Sequence, residues 1–427
     1  MAANNELFNS KDKPIPGVRR EISLVPVSQN GDSYLYVHDM MGYVPDDLAL
    51  NAQVQTLLSL FDGRKSVEDL KPFLGEDVTT DHLLEFVQFL DEKRLLNSAY
   101  LDDYREKVES DYESSRTHAS VTAGGSYPAD PEELHALLDE AFQKRNDQPV
   151  DGKPKQGKDA STRDENPVRA LYAPHIDPRV SLDVYAGAFS RIAEQRPERV
   201  VMLATSHYAG LYPERYKNRP YILVDKDFEM PNGLVPADRE SLERLAEADK
   251  NLGVTASDRA HRMEHSIELH LVFLNHLWDH DFQIVPILVN GFDELYYKDD
   301  GFLGESVAGF SDVLRETFAG DGNTLFLVSG DLAHVGRKFG DDRAADTMFD
   351  EIREFDARFL DHAVENRRGE LLAHMKEEYD PYRICGFPPL YTLMHTLPDL
   401  KGELINYEIW DEQERESAVS FGSIAYR

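Results

Sequence analysis

Four short, unbroken apolar runs frame most of this chain: VRALYAP (168–174), RVVMLAT (199–205), QIVPILV (283–289) and TLFLVSG (324–330). Successive side chains of a strand point to opposite faces, so a half-solvated strand alternates apolar with polar residues. A run with no polar alternate has both faces covered. Helical patterns intervene to cover them, at about 182–195, 238–250, 264–278, 304–319, 343–367 and 384–396. Strands alternating with helices imply an α/β domain, with a mostly parallel central sheet flanked by helices. ELINYEIW (403–410) and AVSFGSIAYR (418–427) supply two further strands.

In open α/β sheets the ligand crevice lies beyond the C-terminal ends of the strands. The first run is followed by Pro174-His175-Ile176-Asp177-Pro178-Arg179. The second leads into Ser206-His207-Tyr208, and the last into Asp331-Leu332-Ala333-His334. One histidine after a strand is commonplace. Three at one sheet edge put imidazoles and carboxylates around a single crevice. Imidazole is the commonest protein ligand for iron, copper and zinc. Two histidines with one anionic ligand suit non-haem iron or an open zinc site. Asp331, Glu264 or the Cys385 thiolate can supply the anion, and His334, if off the metal, can carry protons.

A fourth cluster reads Arg262-Met263-Glu264-His265-Ser266-Ile267-Glu268. On a helix Glu264 and Glu268 share a face. The spacing is not H-E-x-x-H, because the acid precedes His265 and the next histidine lies five positions on, so zincin chemistry has no motif here. His265 near a helix start either points into the crevice or makes supporting hydrogen bonds. Cys385 is the chain's one cysteine. A lone cysteine is more often a small buried hydrophobe than a ligand, although a helix start would favour its thiolate.

At 427 residues the chain is too long for one ordinary core. Residues 1–20 read as a loose arm. Strands at 21–27 and 33–37 precede helices over 48–61, from Ser66, where SVED reads as a capping box, and from about Thr80. A strand pair near 95–101 would close a small winged-helix domain over 21–105. The charged stretch 102–122 is a linker or connecting helix, with the linker placed at 106–120. The α/β domain takes 121–427, interrupted by a polar flexible loop at 144–167. The formal charge of −33 repels nucleic acid and anionic membranes, so neither is an expected partner. One cysteine, no signal-like apolar segment and no run of 18 apolar residues point to the cytoplasm.

Two resemblances organise these observations. LLSLFDGRKSVEDLKPFL (57–74) with LLEFVQFLDEKRLL (83–96) resembles the PqqD-like winged-helix domain, which implies docking of a peptide or partner. Six phrases, in order, resemble the Memo family, called AmmeMemoRadiSam system protein B in prokaryotes. They are VTAGGSYPADPEELHALLDEAF (121–142), APHIDPRVS (173–181), LATSHYAG (203–210), EHSIELHLVFL (264–274), LFLVSGDLAHVG (325–336) and YRICGFPPLYTLM (382–394).

The Memo resemblance implies a fold like the class III extradiol dioxygenases, which are non-haem iron enzymes. It implies a metal pocket of His175, His207 and Cys385, lined by Asp331 and His334. Those two residues and His265 are the catalytic candidates. The expected cofactor is a divalent metal ion, iron foremost, with copper or zinc as alternatives. The resemblance further implies a radical SAM protein and an AMMECR1-type protein as partners. The family's P-H-A-G-Y phrase is replaced by Pro174-His175-Ile176-Asp177-Pro178-Arg179. Arg179 with Asp177 is therefore the candidate substrate-binding pair, in which Arg179 grips an anionic group or pairs with Asp177. The implied function is a dioxygenase-like metal enzyme. The alternatives are a non-catalytic docking protein and, with no motif of its own, a metal hydrolase.

Overall fold

The computed structural model describes residues 6–29, 31–75, 77–147, 167–247 and 250–427. The chain divides between Ser114 and Ser115 into two units, each with a hydrophobic core. In the first unit, β1 (Ile22–Gln29), β2 (Asp32–Asp39) and β3 (Ala49–Asn51) pair antiparallel in that order. Single helical turns at Gln55–Leu58 and Val67–Leu70 precede helices Thr80–Glu92 and Ala99–Ser114. Ser66 and Asp69 form the expected capping box.

The local pattern and the structure differ in several places here. The stretch 48–61 starts as β3, because Ala49 and Leu50 pair with Tyr36 and Leu35, and tertiary pairing overrides propensity. No strand pair forms at 95–101: Leu96 makes one isolated bridge to Val18, and a helix begins at Ala99. That helix carries residues 106–114 into the first unit, where Glu109 is buried and accepts from the Tyr43 hydroxyl. The stretch expected to be a loose arm is packed from Phe8 onward. Phe8 N donates to Asp91 (2.7 Å), Ile15 is fully buried, and Arg19 grips Asp39 with two bonds of 2.8 Å.

The second unit contains β4 (Thr117–Ala119), β5 (Ala170–Ala173), β6 (Arg199–Thr205), β7 (Tyr221–Leu223), β8 (Asp227–Met230) and β9 (Gly233–Val235). It continues with β10 (Val254–Thr255), β11 (Gln283–Val289), β12 (Thr324–Ser329), β13 (His334–Gly336), β14 (Gly402–Glu412) and β15 (Ser417–Tyr426). The main sheet runs β10-β7-β11-β6-β12-β5-β15-β13, with β14 on β15. The four apolar runs are its centre, β11-β6-β12-β5, and these four are mutually parallel. The whole sheet is mixed rather than mostly parallel, because β7 joins β11, and β15 joins β5, antiparallel. Strands β4, β8 and β9 form a separate small sheet.

Alternation along the central strands feeds two cores. Val201, Leu203, Phe326 and Val328 pack with Phe310, Phe359 and Leu390 of helices Phe302–Leu314, Phe349–Val364 and Phe387–Thr396. Val200, Met202, Leu325 and Leu327 pack with Leu134, Phe189 and Leu271 of helices Pro131–Asp147, Leu182–Phe189 and Glu268–Leu277. Covering both faces removes the need for polar alternates in the strands. Two helices start later than periodicity suggests, at Glu268 and Phe387, which leaves His265 and Cys385 in the loops before them. Helix Pro131–Asp147 takes up the start of the loop expected at 144–167, whose residues 148–166 lie outside the described residues. Among the described residues no helix is long and apolar enough to cross a membrane.

Candidate metal centre

The parallel strands β5, β6 and β12 end at Ala173, Thr205 and Ser329 on one sheet edge, and His175, His207 and Asp331 follow within two residues. Loops from the two helical layers close over this edge from opposite sides. Glu264 and His265 arrive ahead of helix Glu268–Leu277, and Cys385 ahead of helix Phe387–Thr396. The Cys385 loop sits directly on the end of β12. A Cβ on Gly330 would collide with the Gly386 backbone, and one on Gly386 with the Tyr172 hydroxyl. Glycine at both positions permits that approach.

The imidazoles of His175, His207 and His265 converge, with one ring nitrogen from each within 4.8 Å of the others. The ring of His175 stands edge-on to both partners, 4.9 Å from His207 and 5.5 Å from His265, while His207 and His265 stack at 5.0 Å. The rings of His175 and His207 are held by their Nδ1 sides, and that of His265 only approaches an acceptor. His175 Nδ1 is 3.0 Å from Ser329 Oγ, His207 Nδ1 2.9 Å from Glu264 Oε1, and His265 Nδ1 3.5 Å from the same oxygen. Ser329 in turn donates to Ser266 O at 2.6 Å. Orientation of ligating histidines through the far nitrogen is the usual support of a protein metal site.

Cys385 Sγ lies 3.4 Å from His175 Nε2 and accepts from Asp331 N at 3.3 Å. Asp331 Oδ1 accepts from His175 N at 2.9 Å, and its Oδ2 is 3.7 Å from His175 Nε2. His334 turns Nδ1 to the carbonyls of Leu332 (3.0 Å) and Arg383 (3.1 Å). Those acceptors fix its proton on Nδ1 and leave Nε2 as an acceptor.

Burial and charge partition the protons. Burial would raise Glu264, but His207, its backbone and His265 hold the carboxyl down at about 2. Burial would lower His207, yet Glu264 and Cys385 carry it well above its ordinary value. His175 is held well below its ordinary value by burial and its neighbouring imidazoles, and burial brings His265 and His334 to about 4. Asp331 is pushed by burial to about 7. Burial also pushes the Cys385 thiol up, against the lowering expected from a helix start, because the helix begins two residues later. The side chains of His207 and His265 stay 29% and 30% exposed, so the pocket opens on their side.

The residues singled out in the sequence therefore divide. His175, His207, Cys385, Asp331 and His265 come together, with His265 beside the other two histidines and not only supporting them. Arg179 and Asp177 form an ion pair at the surface, through Arg179 Nε (3.0 Å) and Nη2 (2.6 Å). The shared helix face expected for Glu264 and Glu268 does not exist. Glu264 precedes the helix, and Glu268 turns to Val121 N (2.6 Å), Thr122 and the Tyr127 hydroxyl. Ser329 and Ser266 carry the support and escaped sequence reasoning. For Ser329 the signal is a hydroxyl at the end of an apolar strand, whereas Ser266 lies in the loop before helix Glu268–Leu277.

The donor set fits a transition-metal ion. It offers three converging imidazoles, those of His175 and His207 held from behind by an acceptor, with the Cys385 sulfur 3.4 Å from His175 Nε2.

The family model described as Memo-like protein matches residues 118–425. A MEMO1 family protein of Aquifex aeolicus is 26% identical, over 93% of this chain and 96% of the relative. One from Thermus thermophilus is 28% identical, over 71% and 80%. One from Nitrosopumilus maritimus is 22% identical, over 72% and 98%.

Proposed function

The chain belongs to the Memo family, and from that premise we propose that it is a metal-dependent redox protein with a dioxygenase-like reaction. The pocket holds one divalent ion, iron foremost and copper or zinc as alternatives, through His175 and His207, with Cys385 and His265 as the further donors. The observation that carries this reading is the convergence of three imidazoles, two of which, His175 and His207, are already engaged through Nδ1. Such an ion supplies Lewis acidity and, for iron or copper, one-electron chemistry. The chain's own residues do the rest. Glu264 keeps His207 oriented, and the Asp331 carboxyl, raised by burial to about 7, can give up a proton beside Cys385. His334 presents Nε2 as a proton acceptor. An anionic substrate group at the rim has to compete with Asp177 for Arg179.

The test is metal analysis of the purified chain beside its His175→Ala/His207→Ala variant. The wild type is expected to carry close to one equivalent that the variant lacks. Equal metal content in both overturns the reading.

A second reading concerns the first unit, as a PqqD-like winged-helix docking module for a peptide, a radical SAM protein or an AMMECR1-type protein. Its support is that the Aquifex relative aligns over 93% of this chain, so the match extends into the first unit. Recovery of such partners in a pull-down is expected to fall when residues 1–114 are removed. Unchanged recovery removes the idea.

A further inference from the structure

Away from the pocket a second pair of imidazoles is drawn together. Helix Pro131–Asp147 carries His135 and, one turn on, Asp139 on the same face. His276 meets them from the last turn of helix Glu268–Leu277. Nδ1 of His135 lies 3.1 Å from Nδ1 of His276, and Nε2 of His276 lies 3.2 Å from Asp139 Oδ1. Phe142 stacks on the His276 ring at 5.8 Å and 10°. The His276 side chain is 9% exposed, while His135 and Asp139 face solvent.

Chemistry assigns the nitrogens. The carboxylate of Asp139 only accepts, so the proton of His276 sits on Nε2 and its Nδ1 carries a lone pair. A carboxylate behind an imidazole is the arrangement that orients metal-binding histidines and raises their basicity. Two nitrogens bound about 2.0 Å from a tetrahedral ion stand about 3.3 Å apart, close to the separation seen here. We propose that His135 and His276 form a second, peripheral site for a nitrogen-seeking divalent ion of the zinc, copper or nickel class. Solvent completes the coordination, and Asp139 is the positioning residue. A bound ion would link helix Pro131–Asp147 to helix Glu268–Leu277, whose leading loop supplies Glu264 and His265. The competing arrangement is a plain hydrogen bond from His135 Nδ1–H to His276, which needs no ion.

Zinc titration of the untagged full chain by calorimetry separates the two. The His175→Ala/His207→Ala background removes the pocket, so this test stands whether or not the pocket reading survives. That background is expected to keep one zinc equivalent. Adding His135→Ala abolishes it. Asp139→Asn weakens it about tenfold, and Asp139→Glu restores it. Because His135 is exposed, its replacement leaves the melting temperature without metal unchanged, which confirms that the fold is intact. A background variant that binds no zinc, or binds equally after His135→Ala, leaves only the hydrogen-bonded pair and overturns the proposal.

Discussion

Glu264 and Asp356 are buried carboxylates of the same domain, one held below the ordinary carboxyl range and the other raised above it. Glu264, in the histidine pocket, accepts from His207 N (2.7 Å), His207 Nδ1 (2.9 Å), His265 N (3.0 Å) and Ser266 N (3.1 Å). Asp356 lies behind the pocket, where helix Phe349–Val364 meets β14 and β15. It accepts from the Tyr407 hydroxyl at 2.8 Å, and among the described residues its Oδ1 has no hydrogen-bond partner. Glu264 sits near 2, while burial carries Asp356 to about 7 with the Ser420 and Tyr407 hydroxyls only partly opposing it. Burial pushes both upward, so the donors decide. Asp331 lies inside the pocket but behaves like Asp356, at about 7, because the His175 and Ile176 N–H donors and the His207 charge together do not offset its burial. The pocket is thus built from one fixed anion and one proton store.

The strongest way to break this contrast is Glu264→Gln. The amide turns an N–H toward donors and strands His207 without its counter-charge. Removing one partner of a buried pair costs about 3–5 kcal/mol, and loss of a ligand's orienting acceptor costs about 10–100-fold in metal affinity. Urea unfolding and metal titration of the variant are expected to show both losses. Stability within about 1 kcal/mol of wild type would mean that the four donors do not hold an anion.

Asp356→Asn probes the other side, with the opposite sign. Its folded value of about 7 exceeds the ordinary 3.8, so burying this carboxyl stabilises nothing and costs more as pH rises from about 4 to 7. The full cost, reached above pH 7, is about 4 kcal/mol at 1.36 kcal/mol per unit. The asparagine variant is expected to gain on the wild type across that window and to converge with it below pH 4, by urea unfolding at pH 4 and pH 8. A constant difference would place Asp356 in the same class as Glu264. Comparing variant with wild type at each pH cancels the effect of the chain's overall acidity.

The same contrast explains what was legible beforehand. The four apolar runs announced the sheet centre because both their faces are buried, and His175, His207 and Asp331 followed from strand-end placement alone. Cys385 was legible only by resemblance, since it reaches the edge from a loop far along the chain, over the Gly330–Gly386 approach. Glu264 was visible as a residue and misread as a helix face, because four N–H donors pull it into the pocket before the helix begins. Nothing in the local pattern of residues 48–61 announced β3, whose partner is β2. Asp356 gave no signal, because it lies on an amphipathic helix whose partner strands come 50 residues later.

The smallest effect belongs to the rim. Arg179 and Asp177 have the geometry of a strong pair, but the Arg179 side chain is 69% exposed, and exposed pairs contribute about 0–1 kcal/mol. Arg179→Ala is therefore expected to move stability by less than about 1 kcal/mol, and still less in 1 M salt, where the screening length is about 3 Å. Its effect on the pocket has a definite sign. Asp177 keeps its bond from Ser126 Oγ (3.0 Å) but loses its counter-charge, so a cation in the pocket is held slightly more tightly. Metal titration at low and high salt reads both quantities. A tenfold weakening of metal binding in Arg179→Ala would show that the rim pair shapes the pocket, and the division between a decisive buried anion and an idle exposed one would fail.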